Sequence, residues 1–229
     1  MAERYPDEDD DLDEWEVQGD RPEDLFETPG EYWTAEAIER LLKAKGQARI
    51  QHDLAAKTLN NLSSHFPGIL EIEGSSPVAL DIGCGLGFAS DVLVDAGYTA
   101  IGIDILVDMA RLSSSRASVE YNANRGRYHR VTASMTCMPL RAGTIDLAIS
   151  TSALQWLDTS TQATVFAAEI ARVVADAIAF QYYPRSSQEL MSLGSTIKQF
   201  GFEGGVLVEN VKNPRKRKNY LLARKAQKV

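Results

Sequence analysis

Residues 77–104 constrain this chain more than any other stretch. Val78, Ala79, Leu80 and Ile82 flank Asp81 in a short apolar run, and the pattern predicts a buried strand. Glycines at 83, 85 and 87 end it, and Phe88, Val92, Leu93 and Ala96 resume at helical spacing. A second apolar strand over 99–103 then ends in Asp104. Strand, glycine turn, helix, strand and acid together make a nucleotide-binding βαβ unit. The glycines let the backbone approach a ligand, and the final carboxylate can accept hydrogen bonds from two ribose hydroxyls.

The spacing inside the turn narrows the ligand. A dinucleotide fingerprint places its third glycine three residues after the second, and that position here is Phe88. Asp81, just ahead of the turn, would repel a pyrophosphate and suits a ligand that carries an ammonium group and no phosphate. S-adenosylmethionine (SAM) is such a ligand, and Asp81–Gly87 resembles the first motif of class I SAM-dependent methyltransferases. The resemblance implies cofactor contacts at Asp81, Gly83, Cys84, Gly85, Gly87, Asp104 and Ile105, and at Ser134, Met135 and Ser150 on later strand ends. The two acids and the flanking strands argue against a bland loop or a degenerate NAD site.

Composition adds a charge division that the net value of −8 hides. Residues 1–31 hold fourteen acids and two arginines, so the remainder carries 22 basic against 18 acidic side chains. Lys212 to Lys228 contains eight Lys or Arg and no acid, which suits a nucleic-acid partner or, equally, an edge strand blunted by lysines. No apolar run reaches the ~18–20 residues of a membrane span, and the acidic N-terminus does not read as a signal peptide. Two cysteines and three histidines show no metal-ligand spacing. Reduced cysteines and an intracellular setting are expected, cytoplasmic or, in a eukaryote, nuclear or nucleolar.

Residues 1–30 are expected to be a disordered or draped acidic tail, with a role as an RNA mimic the lesser alternative, and residues 31–229 the folded domain. Thr34 is a predicted N-cap for a helix to Lys45. Gly46 interrupts it, and a second helix to about residue 64 has Ile50, Leu54 and Leu62 on one face. Tyr32 and Trp33 at this start read as core packing, with lid aromatics as the alternative. A helix at 107–115 and a basic stretch from Arg111 to Arg130 lead to a third strand, Tyr128 to Ala133. Further strands are expected at 145–150, 177–182, 205–211 and 217–223, with helices at 160–175 and 187–200. The alternation predicts an α/β, Rossmann-like sandwich: a seven-stranded, mostly parallel sheet with helices on both faces and ligands at the carboxyl ends of the strands.

The fourth strand runs into Ser150-Thr-Ser-Ala-Leu-Gln-Trp-Leu157. Ser150, Ser152 and Gln155 are polar groups where a methyl acceptor must lie. Trp156 can stack on a base, and Gln155 can read a base edge. Residues 149–157 resemble the fourth motif of the small-subunit ribosomal RNA (guanine-N7) methyltransferases. The likeness continues at Phe180–Pro184, Ser187–Leu190, Phe200–Val208 and Lys216–Tyr220. Membership would imply transfer to guanine N7 in complex with a small zinc-binding activator protein, docked on the edge strand Tyr128–Ala133. A related family with the same activator methylates carboxymethyl groups on wobble uridines of tRNA. Two departures stand out. Ser134 replaces the acid that usually holds the adenine amino group, which predicts weaker SAM binding. The long basic C-terminal extension of eukaryotic members has no counterpart here, as expected of an archaeal or minimal member. A small-molecule or protein methyltransferase and a catalytically silent SAM-fold module are the other classes.

Overall fold

The computed structural model describes residues 21–71, 77–109, 111, 127–157, 159–211, 213 and 216–226. The acidic run near the N-terminus, most of the basic stretch between Arg111 and Arg130, and the predicted helix beyond its first turn at Val107–Met109 lie outside these residues.

Two short helices, α1 (Pro22–Leu25) and α2 (Pro29–Tyr32), each begin on a proline, whose fixed φ suits a first helical position. Arg21 is buried and its Nη2 donates to the Tyr183 carbonyl at 2.6 Å, while Arg185 Nε donates to Asp24 at 2.8 Å. The described end of the acidic tail is therefore folded against the domain rather than free of it. In α3 (Ala35–Lys43), the Thr34 hydroxyl accepts from the Ala37 amide, as its sequence position predicts. The break before α4 (Lys45–His65) falls at Ala44, with ψ near 81°, and Gly46 sits inside α4. The buried face of α4 is Leu54, Ala55, Thr58, Leu59 and Leu62. Ile50 is 54% exposed, so the predicted apolar stripe begins one turn later.

Seven strands follow the order β3-β2-β1-β4-β5-β7-β6. They are β1 (Val78–Ile82), β2 (Thr99–Asp104), β3 (Tyr128–Thr132), β4 (Ile145–Thr151), β5 (Val174–Tyr182), β6 (Phe202–Glu209) and β7 (Lys218–Lys225). Neighbours are parallel up to β5, and β7 runs antiparallel to both β5 and β6. Helix α5 (Phe88–Asp95) joins β1 to β2, α6 (Ser160–Val173) joins β4 to β5, and α7 (Ser187–Gln199) precedes β6.

Alternation along the central strands decides which core each residue enters. Leu80, Ile82, Ala148, Ile178, Phe180 and Leu221 face α6 and α7, where Phe166, Ile170, Leu190 and Ile197 complete a buried cluster. Ala79, Leu147, Ile149, Ala179 and Leu222 face α4 and α5, against Leu59, Leu62, Val92 and Leu93. Full burial of a Leu, Ile or Phe contributes about 1.5–3 kcal/mol, so a sheet covered on both faces is a rigid base for the loops at its carboxyl end. A third cluster of Ile38, Leu86, Phe88 and Met109 fixes α3 over the glycine turn.

Candidate active site

The loops after β1, β2, β3 and β4 open onto one cavity of about 550 Å³, within the ~300–1,000 Å³ usual for a small ligand. Gly83 has φ +69°, and a Cβ there would stand 2.3 Å from the Ala153 Cβ. Only glycine lets the turn after β1 pass that close to the loop after β4. Gly85 has φ +49° and its Cβ direction meets nothing within 4 Å, because it points into the cavity. Gly87 lies away from the lining, with the Tyr128 hydroxyl 2.9 Å from where its Cβ would be.

Asp104 ties the second strand to this turn. Its Oδ2 accepts from the Gly85 amide at 2.8 Å and its Oδ1 from the Leu106 amide at 2.9 Å. Each oxygen keeps a second acceptor site for a ribose hydroxyl. Burial pushes the carboxyl above its ordinary range, and the amides of Leu106, Gly85 and Ile105 pull against that rise. Cys84, Ile105, Ser134 and Met135 also line the cavity. The Ser134 hydroxyl is engaged in its own turn, 2.8 Å from the Thr136 hydroxyl and accepting from the Thr136 amide.

Four of the sequence-predicted residues are not brought to the cavity wall. Ser150 is fully buried and its hydroxyl donates to the Ile82 carbonyl at 2.9 Å, so it joins β4 to β1 and does not line the cavity. Gln155 is buried and its Nε2 donates to the Ser152 carbonyl at 2.9 Å, bracing the loop, while its Oε1 has no hydrogen-bond partner among the described residues. Gly87 has the packing role given above. Asp81 stands behind the wall, where Ser90 of α5 donates to its Oδ2 at 2.6 Å and its Oδ1 has no hydrogen-bond partner among the described residues.

Burial raises the Asp81 carboxyl to about 7, against the lowering bond from Ser90. With a folded value above the unfolded one, the folded state holds the extra proton between about pH 4 and 7, so stability from this group falls as pH rises through that window. Asp81→Asn, neutral at every pH, is expected to flatten that decline and to melt above the native chain at pH 8. Thermal melts of both proteins from pH 5 to 8 check this, and parallel curves would show that Asp81 does not titrate there.

Ser152 and Trp156 do line the cavity. Ser152 has φ +56°, an uncommon backbone state for serine, held because its amide donates to the Gln181 carbonyl and its hydroxyl to Gln181 Oε1. Trp156 is half-buried in the 3₁₀ turn Leu154–Trp156. The wall also includes Glu27, Thr28, Pro29 and Trp33, with Gln47 and Gln51 of α4; of these, the sequence pointed to Trp33 alone, as the lid alternative. Trp33 packs on the third core cluster and also faces the cavity, edge-on to Tyr32 at 4.8 Å, so core packing alone does not describe it.

The charge of the lining tests the expected cofactor. Among the described lining residues there is no Lys, Arg or His, and the two charged groups are the carboxylates of Glu27 and Asp104. Such a wall disfavours a diphosphate and accepts a ligand with sulfonium and ammonium charge. The open face of Gly85 and the paired oxygens of Asp104 fit SAM.

A family model for a methyltransferase domain matches residues 80–177. The 18S rRNA (guanine(1575)-N(7))-methyltransferase of Saccharomyces cerevisiae is 32% identical over 206 residues, covering 83% of this chain and 67% of that protein. The 18S rRNA (guanine-N(7))-methyltransferase bud23 of Schizosaccharomyces pombe is 28% identical over 170 residues, covering 67% of this chain and 59% of that protein. The chain thus spans about half to two thirds of the length of the curated relatives it matches. Magnesium protoporphyrin IX methyltransferase of Synechocystis, solved with bound SAH, shares the fold at a TM-score of 0.65 and 15% identity, over 86% of this chain and 97% of that one. Glycine turn, strand-end acid, a lining without cations among the described residues and these likenesses agree: the chain belongs to the 18S rRNA (guanine-N7)-methyltransferase family of class I SAM-dependent methyltransferases.

Proposed function

We propose that this protein transfers a methyl group from SAM to N7 of a guanine in small-subunit ribosomal RNA. The observation that carries the reading is the loop after β4, which brings Ser152 and Trp156 to the same cavity as Gly85 and Asp104. The acceptor follows from the relatives, which are 18S rRNA (guanine-N7)-methyltransferases. SAM contributes an electrophilic methyl on a sulfonium. Asp104 would hold its ribose, Ile105, Ser134 and Met135 would border the bound cofactor, and the backbone at Gly83–Gly85 would leave room for it. Trp156 faces the acceptor and offers a ring for a base to stack on.

Guanine N7 has an in-plane lone pair and no proton, so attack on the methyl carbon needs no general base. Of the lining carboxylates, Asp104 already serves two backbone amides and Glu27 lies in the N-terminal segment. Catalysis then rests on alignment at a near-attack distance of about 3 Å and on exclusion of water. Extruding the base costs a few kcal/mol, which favours loops or partly unfolded RNA.

A small zinc-binding activator on β3 belongs to the same reading. Among the described residues β3 is an edge strand paired only with β2, and Val131 on it is exposed, as are Ile105 and Val107 after β2. An unpaired edge with apolar neighbours invites pairing with another chain, and a partner strand would satisfy it.

Mass spectrometry of nucleosides from ribosomal and transfer RNA, in cells with and without this protein, tests the assignment. Loss of 7-methylguanosine from small-subunit RNA is expected. Loss confined to carboxymethyl-uridine esters of tRNA would move the acceptor to the wobble position. No change in either pool would overturn RNA as the substrate.

A further inference from the structure

The cavity carries no cation among its described lining residues, yet a guanine inside RNA arrives with phosphates on both sides. Whatever holds those phosphates must lie outside the cavity, and the topology places a candidate beside it. β6 runs parallel to β1, β4 and β5, so its carboxyl end at Glu209 points the same way as the loops that form the site. The β6–β7 connection therefore emerges on the active-site face. At about 4.8 Å per strand, β7 lies about 10 Å from β4 in the plane of the sheet. That is close enough for nucleotides flanking a base held at Trp156.

Charge in this region is unevenly compensated. Arg21 is paired with Glu23, and Arg185 with Asp24. Glu209 is taken by Lys57 at 2.8 Å. Lys216 is exposed and Lys218 half-buried, and neither forms an ion pair with a carboxylate among the described residues. Arg217 lies between them, with Nη2 donating to the Val211 carbonyl. Lys218 Nζ donates to the Tyr183 hydroxyl at 2.7 Å and stands 4.9 Å from the centre of its ring. Tyr183 itself directly follows the carboxyl end of β5, one strand from Ser152. Cations next to a half-exposed aromatic, beside a cavity that accepts a base, match the way single-stranded nucleic acid is held: phosphates on the cations and a base on the ring.

We infer that Lys216 and Lys218, with Tyr183, form a phosphate track that holds the RNA strand flanking the guanine to be methylated. This rests on RNA being the substrate class. The track fixes the strand and leaves base identity to the cavity.

The test uses the purified chain, a short fluorescein-labelled single-stranded RNA and a salt titration followed by anisotropy. The double variant Lys216→Gln/Lys218→Gln is expected to bind this RNA about tenfold more weakly near 0.1 M salt. The slope of log affinity against log salt should fall by about 1.4, as for two lost phosphate contacts. SAM affinity by calorimetry should be unchanged, and Lys216→Arg/Lys218→Arg should bind RNA as the native chain does. Native affinity and slope in the Gln variant would overturn the track while leaving RNA as the substrate. A Gln variant and an Arg variant equally weakened would overturn it too, since packing and not charge would then be at fault. A native chain that retains no RNA at any salt would overturn both readings at once.

Discussion

Gly85→Arg is expected to fold and to lose SAM binding entirely. The Cβ of residue 85 points into open cavity, so the new side chain meets ligand space and not protein. The φ of +49° costs a non-glycine residue about 1–2 kcal/mol, which a domain covered on both faces of its sheet tolerates. Gly83→Ala, a far smaller change, should be the worse folder. Its methyl would stand 2.3 Å from Ala153, so the loop after β4 must shift or the turn must open, at a cost of about 1–3 kcal/mol in overpacking beyond the backbone strain. Asp104→Ala removes the acceptor for two amides and for the ribose proposed to bind there. Each charge-assisted bond is worth about 1.5–3 kcal/mol, so SAM affinity should fall about 10²-fold or more. Calorimetry with SAM and thermal melts of the three variants separate these effects. A Gly85→Arg protein that binds SAM with native enthalpy would place the cofactor elsewhere.

The cofactor half of the site was legible because its signals are backbone signals. Glycines at 83 and 85 announce conformations that other residues avoid, and an acid at the end of a strand sits where strand ends converge. Side-chain direction was harder to read. Asp81 looks like part of the turn, but it is the fourth residue of β1 and alternation turns it toward α5 and Ser90. Ser150 and Ser152 are two residues apart on what reads as one strand end. The chain leaves extended geometry at Ser152, so Ser150 braces Ile82 while Ser152 comes to the cavity wall with its hydroxyl on Gln181. At Gln155 a 3₁₀ turn folds the amide nitrogen back onto the Ser152 carbonyl, a direction that no strand or helix period announces. The wall built by Glu27, Thr28 and Pro29 escaped notice because four-residue helices separated by prolines have no periodicity to detect. What held them in place, Arg21 on the Tyr183 carbonyl, is a contact between residues 162 positions apart.

Trp156→Ala should leave SAM binding near native and lower kcat/KM for RNA methylation by about 5- to 150-fold, the range implied by ~1–3 kcal/mol of base stacking. Trp156→Phe, which keeps a ring, should recover most of that loss. Gln155→Ala separates bracing from recognition. Its removal costs the bond to the Ser152 carbonyl, about 1 kcal/mol net, and frees a residue held at φ +56°. A brace lost in this way should lower transfer to every accepted RNA by a similar factor. A reader of the base edge, when lost, would relax the choice of base. Steady-state methylation of matched RNAs carrying guanine or adenine at the target position distinguishes the two. Unchanged transfer in Trp156→Ala would make that ring a packing residue and leave the acceptor side of the cavity to other lining residues such as Trp33 and Pro29.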